Sequence, residues 1–146
     1  MGESNWQAKM STSDFALHPI GTIRSTIKRR GGPKQGREGA PDAWLEIRAD
    51  VPVALDGIAV GDEIIVITWL HLADRGELKV RPRDDPANPM TGVFATRSPD
   101  RPNPLGLHRV KVLEIEGNRL KVGPIEAIDG TPVVDIKPVL DAWADY

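Results

Sequence analysis

Short apolar runs separated by turn signals make up most of the chain from residue 15 onward. Residues 44–51 (WLEIRADV) alternate between apolar and polar side chains, as expected of a half-buried strand. Residues 62–72 (DEIIVITWLHL) form the most apolar run, which is rich in β-branched side chains and predicts a central strand buried on both faces. Shorter strands are predicted for residues 15–25 and 78–83.

Turn signals organise the second half of the chain. Gly117-Asn118 separates residues 106–116 from residues 119–122 and predicts a β-hairpin. Asp129-Gly130 predicts a turn before a last strand at residues 131–137. Because strands recur at short intervals and amphipathic helix is almost absent, the pattern predicts an all-β fold. We expect a single small β-barrel domain, closed or nearly closed, with few short helical turns.

Length and composition limit the class of protein. The chain has 146 residues, which suits one domain. Residues 1–14 are polar and aperiodic and predict a disordered tail, so the domain is assigned to residues 15–146. The N-terminus lacks an apolar signal segment, and no run is long enough to cross a bilayer, so we expect no membrane association.

Cysteine and histidine usage excludes several kinds of site. The sequence contains no cysteine, which rules out disulfides and thiolate metal ligands and favours a cytoplasmic location. Its histidines, His18, His71 and His108, show no metal-ligand spacing. We therefore expect no metal.

A basic segment stands out against a slightly acidic total. The formal net charge of -2 argues against a protein that holds nucleic acid mainly by overall charge. Residues 28–37 (KRRGGPKQGR) nevertheless combine five basic side chains with three glycines and no acid. The segment matches neither the P-loop nor the dinucleotide-binding pattern. Two interpretations stay open: a solvated surface loop, or a loop that closes over an anionic ligand.

Residues 92–107 (GVFATRSPDRPNPLGL) form the most distinctive stretch. Residues 93–95 predict the end of a buried strand, after which three prolines stiffen the backbone. Arg97, Arg101 and Asn103 should therefore be held in place, which lowers the ordering cost of binding an anionic or polar ligand. Composition alone favours solvated arginines instead.

Hydrolytic and base-stacking chemistry find little support. The sequence has no GxSxG nucleophile elbow. Asp129 and Asp135 could form a carboxylate pair, but a turn-forming Asp129 and a solvent-facing Asp135 explain them more simply. Most of the 4 Trp, 2 Phe and 1 Tyr lie inside apolar runs, which argues against an exposed aromatic platform for single-stranded RNA.

Two long motifs go beyond what composition can establish. GVFATRSPDRPNPLG, followed by AIDGTPVVDIKPVL, resembles the paired signatures of the TrmO family, also called TsaA-like or YaeB-like proteins. The resemblance spans about residues 15–140 and includes the opening HPIGTIRS. It implies a TsaA-like β-barrel that binds S-adenosyl-L-methionine as cofactor, instead of a Rossmann fold.

The resemblance also implies an activity and partners. The family transfers a methyl group from S-adenosylmethionine to N6-threonylcarbamoyladenosine, which lies beside the anticodon in some tRNAs. It further implies a homodimer. Longer bacterial members carry a C-terminal domain after the barrel, whereas this sequence ends at Tyr146. We expect the basic segment of two subunits to grip tRNA instead, or the methyl acceptor to differ.

The family motifs assign cofactor contacts residue by residue. Pro33, Lys34 and Gln35 match the family's Pro-Arg-Gln, with Lys34 in place of arginine. His71 and Leu72 align with its His-Gln pair. The remaining matches are Arg97 of ATRS, Arg109 at a family leucine position that contributes main-chain contacts, and Asp129, Gly130, Thr131 and Pro132 of the DGTP turn.

The chemistry of the cofactor suggests a role for some of these residues. Arg97 would orient the methionyl carboxylate or a substrate anion. Asp129 would hold a hydroxyl or an amine, and the backbone of the DGTP turn would frame the adenine. No residue is nominated as a general base. Candidate RNA contacts are Lys28, Arg29, Arg30, Arg101 and Asn103.

Three alternatives stay open at this point. Arg101 could instead pair structurally with Asp100 or Asp129. The protein could bind S-adenosylmethionine or a nucleotide as a non-catalytic sensor. It could also methylate another RNA or a small molecule.

Overall fold

The computed structural model describes residues 15–31 and 39–140. Its strands are β1 (Gly21–Arg24), β2 (Ala43–Ile47), β3 (Glu63–Trp69), β4 (Lys79–Val80), β5 (Thr91–Gly92), β6 (Leu105–Glu116), β7 (Arg119–Gly123) and β8 (Pro132–Pro138). Single 3₁₀ turns occur at Pro52–Leu55, Pro82–Asp84 and Val93–Ala95. The predicted disordered tail, residues 1–14, lies outside the described residues.

Six of these strands close into a barrel in the order β1-β2-β7-β6-β3-β8. The first and last strands of the barrel are neighbours: Gly21 of β1 lies opposite Val133 of β8, and Thr22 lies opposite Pro132. The predicted all-β barrel is therefore confirmed. The predicted hairpin is confirmed too, since β6 and β7 pair across a turn in which Gly117 has φ 59°.

The barrel interior is the hydrophobic core, and β3 shows how its strands contribute to it. Ile64, Val66 and Thr68 are buried, whereas Ile65 and Ile67 are only partly buried. The prediction that this strand is buried on both faces was wrong. A barrel strand has one inner face, so successive side chains alternate between core and exterior even in a continuous apolar run.

The close approach of two strand backbones requires a glycine at one position of β1. A Cβ atom built on Gly21 would lie 2.5 Å from the carbonyl oxygen of Glu46 in the paired strand β2. Any larger residue would force the two strands apart, and this explains the glycine that interrupts an otherwise β-branched segment.

The contacts of the chain divide it into two compact units. Of the described residues, the barrel unit contains 18–31, 39–69 and 106–140, and the loop unit contains 15–17 and 70–105. The assignment of residues 15–146 to a single domain stays a prediction. No helix in the described residues has the length and apolar character needed to span a membrane.

The loop unit is built on a two-stranded ribbon. Lys79 of β4 pairs with Gly92 of β5, and the Val93 amide donates to the carbonyl of Leu78. Residues 93–95 form a 3₁₀ turn, so the prediction of a buried strand end there was wrong. Val93 is buried, but Phe94 is 85% exposed, because a 3₁₀ turn points consecutive side chains in different directions.

A buried polar pair joins two barrel strands. Thr68 Oγ1 of β3 lies 2.8 Å from His108 Nε2 of β6, and both residues are buried. Burial lowers the pKa of His108 from 6.5 to about 4, because the imidazolium would lose its hydration. The ring is therefore neutral at physiological pH and bonds to the hydroxyl inside the core.

This pair predicts an acid-sensitive barrel. The unfolded chain binds a proton at His108 near pH 6.5, but the folded chain does so only near pH 4. Stability should fall as pH drops through this window, by on the order of 3 kcal/mol in total. Urea unfolding between pH 7 and pH 4 measures how steeply the free energy of unfolding changes with pH. His108→Gln should flatten this dependence and the exposed His18→Gln should not; equal slopes for both variants would contradict the assignment.

Candidate functional site

The DGTP turn of the barrel unit is locked by backbone hydrogen bonds. The Asp129 amide donates to Ile27 O (2.7 Å) and the Gly130 amide to Ile23 O (2.8 Å). Thr131, almost fully buried, donates from both its amide (3.0 Å) and its Oγ1 (2.6 Å) to Ile128 O. Gly130 has φ 88°, a conformation that favours glycine. These three amides are used internally, so a ligand reaching the turn would meet other groups.

The Asp129 carboxylate also connects the DGTP turn to the segment after β1. Its Oδ1 accepts from the Ser25 amide at 3.0 Å, and its Oδ2 lies 3.2 Å from Lys28 Nζ. The Ser25 amide, then Lys28, and more weakly Arg24 lower the pKa of Asp129 below its usual value. Asp129 is therefore an anion that positions the base of the basic segment.

The described part of the basic segment surrounds a depression of about 360 Å³. Its lining includes Lys28, Arg29, Arg30, Gly31, Gly39 and Pro41. The side chains of the three basic residues are exposed. A concave surface with clustered cations suits an anionic ligand such as a phosphate. Pro33, Lys34 and Gln35, the predicted cofactor contacts of this segment, lie outside the described residues.

Arg109 occupies a different part of the barrel unit. It projects from the exposed side of β6, and its Nε lies 3.2 Å from Glu63 Oε2 at the start of β3. This hydrogen bond lowers the pKa of Glu63. Thr68, which contacts the neighbouring His108, lies near the other end of β3. The main-chain contact predicted for Arg109 stays a prediction.

In the loop unit, the predicted contacts lie in two adjoining segments. His71 and Leu72 form an exposed turn directly after β3. The Asp74 amide that follows donates to Asp100 Oδ1 at 2.8 Å. This hydrogen bond links the segment that follows His71 to the proline-rich loop, residues 92–107, which carries Arg97.

The two arginines of the proline-rich loop have opposite environments. Arg97 is exposed, and it has no hydrogen-bond or ion-pair partner within the part of the chain that the structure describes. Arg101 is partly buried and donates to the carbonyls of Val93, Thr96 and Ser98. The sequence left open a structural pairing of Arg101 with Asp100 or Asp129. In the structure, its partners are backbone carbonyls instead.

Arg75 is a residue that sequence reasoning missed. Its Nε donates to Pro102 O at 2.6 Å, and its Nη2 lies 3.2 Å from Asn103 Oδ1. Asn103, a predicted RNA contact, is therefore already engaged within the loop unit. The sequence offered no signal for Arg75 because its partners are more than 25 residues away.

Comparisons with known proteins point to one family. The sequence matches the family model described as the tRNA-methyltransferase O (TrmO) N-terminal domain over residues 22–145. A relative from Methanothermobacter thermautotrophicus, named a probable S-adenosyl-L-methionine-binding protein, is 42% identical over 88% of this chain and 93% of its own. A Pseudomonas aeruginosa relative, named a putative S-adenosylmethionine-dependent methyltransferase, is 39% identical over 84% of this chain and 54% of its own.

A solved structure supports the same relationship. A crystal structure of TrmO is similar to this chain with a TM-score of 0.72 and 35% sequence identity. The similarity covers 91% of this chain but only 62% of the TrmO chain.

The hydrogen bond between the Ser25 amide and Asp129 can be tested in the ligand-free protein. Asp129→Ala removes the acceptor of the Ser25 amide, so hydrogen exchange of that amide should accelerate about tenfold or more. Asp129→Asn keeps an acceptor oxygen and serves as the matched control, with exchange much closer to wild type. Exchange that is unchanged in Asp129→Ala would show that the carboxylate does not hold this segment.

Proposed function

Because the chain belongs to the TrmO family, we propose that it is an S-adenosylmethionine-dependent methyltransferase that acts on tRNA. The proposed acceptor is N6 of N6-threonylcarbamoyladenosine next to the anticodon. The family description supports tRNA as the partner, and the names of the relatives support the cofactor. Since the chain spans 62% of the solved TrmO chain, the activity of the whole TrmO protein is carried over here as a proposal.

The observation that carries the proposal is the state of Arg97. It lies in the family motif as an exposed cation with no partner in the described residues, on a loop that internal hydrogen bonds hold rigid. S-adenosylmethionine has a carboxylate, the group that a fixed guanidinium binds best. A surface arginine with only a solvating role has no need of such a rigid support.

The barrel unit, taken by itself, also has a group that suits this cofactor, but the role expected of the DGTP amides is revised. When bound, S-adenosylmethionine would supply a methyl group to the acceptor nitrogen, with the carbon–sulfur bond breaking to leave S-adenosylhomocysteine and the proton of the nitrogen passing to solvent. Asp129 is ionised and can accept a hydrogen bond from a ribose hydroxyl or an amine in addition to Ser25 and Lys28. The DGTP amides are already bonded, so the proposed framing of adenine falls to other atoms of the turn.

Catalysis in this proposal depends on positioning more than on acid–base chemistry. His108 is buried in the barrel core and neutral, so it is not placed to exchange protons with a substrate. Holding two reactants in the correct orientation can lower a barrier by about 7–11 kcal/mol. Rigid loops that fix the acceptor nitrogen relative to the methyl group would supply this effect.

The basic segment is the proposed contact with tRNA. Lys28, Arg29 and Arg30 are exposed around one depression, where they can neutralise backbone phosphates. A homodimer would bring two such segments to one RNA and would explain how a chain of net charge -2 could bind it. Sedimentation should therefore give a dimeric mass; a monomer at assay concentration would contradict this part of the proposal.

Methyl transfer to tRNA tests the proposed function directly. Total tRNA from cells lacking this gene, incubated with the protein and S-adenosylmethionine, should yield threonylcarbamoyladenosine that carries one additional methyl group. Nucleoside mass spectrometry detects the product, and tRNA made without the threonylcarbamoyl group is the matched acceptor control. Cofactor binding without this product would contradict the proposed acceptor. It would favour another methyl acceptor or a sensor that binds S-adenosylmethionine without turnover.

The role of Arg97 makes a second prediction. Arg97→Met removes the cation that binds the cofactor carboxylate, a contact that contributes about 1.5–3 kcal/mol, so Kd should rise about 10- to 100-fold. Titration calorimetry with S-adenosylmethionine measures this change. Arg48→Met, which removes an exposed arginine paired with Asp50 on the barrel unit, is the control and should bind normally. An unchanged Kd in Arg97→Met would refute the site assignment.

A further inference from the structure

We propose that Arg101 is a positioning residue that presets the backbone around Arg97, and that it does not contact the RNA phosphates. This inference rests on the proposed function only in taking S-adenosylmethionine as the ligand of Arg97. The role is carried by the hydrogen bonds of the Arg101 guanidinium, each of which stays inside the loop unit.

The Arg101 side chain acts as an internal brace for the residues before it. Nη1 donates to Thr96 O at 3.1 Å and to Ser98 O at 3.2 Å. Nη2 donates to Thr96 O at 3.1 Å and also to Val93 O. The carbonyls on both sides of Arg97 in the chain are thereby held by one planar group, so the Cα position of Arg97 is fixed from both directions.

Short-range hydrogen bonds complete the brace. Thr96 Oγ1 donates to Val93 O at 3.0 Å and accepts from the Ser98 amide at 3.1 Å. The Asp100 amide donates to Ser98 Oγ at 3.2 Å. Val93, Thr96, Ser98, Asp100 and Arg101 are therefore all hydrogen-bonded within the loop, whereas Arg97 has no such partner in the described residues.

A second arginine links this loop to the preceding turn. Arg75 donates to Pro102 O and to Asn103 Oδ1, and Asp100 accepts from the Asp74 amide. The segment carrying His71 and the segment carrying Arg97 thus belong to one bonded framework within the loop unit. Arg75 and Arg101 hold the two sides of the proline-rich loop.

This geometry explains why the loop contains two arginines. Both terminal nitrogens of Arg101 are already engaged, and the side chain is partly buried, so a phosphate contact would break the brace. Arg97 keeps its donors available because Arg101 satisfies the carbonyls around it. Binding then requires little further ordering of the loop.

A double-mutant cycle tests the inference. Arg101→Met should raise Kd for S-adenosylmethionine about 10- to 100-fold, because small displacements of a binding group are costly. In an Arg97→Met background the same change should alter Kd by less than about twofold, since Arg101 acts through Arg97. Arg101→Lys should restore the affinity only in part, because one ammonium cannot span the three carbonyls.

The outcomes separate this inference from the proposed function. If Arg97→Met weakens binding but Arg101→Met weakens it equally in both backgrounds, Arg101 acts independently and the inference is wrong. A Kd for Arg101→Met within about twofold of wild type overturns it too. If Arg97→Met itself has no effect, the cofactor assignment of Arg97 fails, and this inference fails with it.

Two readouts separate positioning from the competing roles of Arg101. In the ligand-free protein, hydrogen exchange of the Thr96 and Ser98 amides should accelerate in Arg101→Met but not in Arg48→Met, while far-UV circular dichroism confirms that the barrel remains. If Arg101→Met does not fold, Arg75→Met loosens the same loop from its other side and should weaken binding similarly.

The salt dependence of tRNA binding should keep its slope in Arg101→Lys and Arg101→Met. A slope reduced by about one unit in Arg101→Met would identify a phosphate contact and overturn the inference.

Discussion

The pairing of the first barrel strand with the last is the constraint on which the rest of the structure depends. The Ile20 amide donates to Val133 O, the Ile23 amide to Thr131 O, and the Gly130 amide to Ile23 O. These bonds close the barrel, so no strand edge is left between β1 and β8. They also run through the DGTP turn. The motif that marks the family therefore closes the fold as well, and substitutions there will change stability together with any effect on ligand binding.

Charged side chains in the family motifs serve two different purposes. Asp129 and Arg101 belong to family motifs, yet both are engaged with the backbone: Asp129 with the Ser25 amide and Arg101 with loop carbonyls. Arg97 has no such partner in the described residues. A short motif thus combines residues that build the loop with a residue that the loop presents. The net charge of the chain, -2, does not reveal this arrangement, because it depends on which cations are already hydrogen-bonded.

The sequence predicted the barrel because its evidence is local. Alternation along each strand and turns such as Gly117-Asn118 specify strands and hairpins without knowledge of tertiary contacts. The only partly buried outer face of β3 and the 3₁₀ turn at Phe94 were missed, because apolar composition does not say which face of a strand is covered. The candidate site was harder to predict than the fold. Asp129 and Ser25 are 104 residues apart, so only the closed barrel brings them together. Pro33, Lys34 and Gln35 lie outside the described residues, and their role stays a prediction from motif resemblance.

Arginine side-chain NMR tests the central claim most directly, namely that Arg97 is the free cation that binds the cofactor while Arg101 supports the loop. In a ¹⁵N-labelled sample of this 16.0 kDa chain, the Nε–Hε signals of both residues can be followed during titration with S-adenosylmethionine. The account predicts that the Arg97 signal shifts and becomes protected from solvent as the cofactor saturates. It also predicts that Arg101 is protected before the first addition and stays so. Saturable binding that leaves Arg97 unchanged, or an Arg101 signal that exchanges freely with water in the ligand-free protein, would contradict the account.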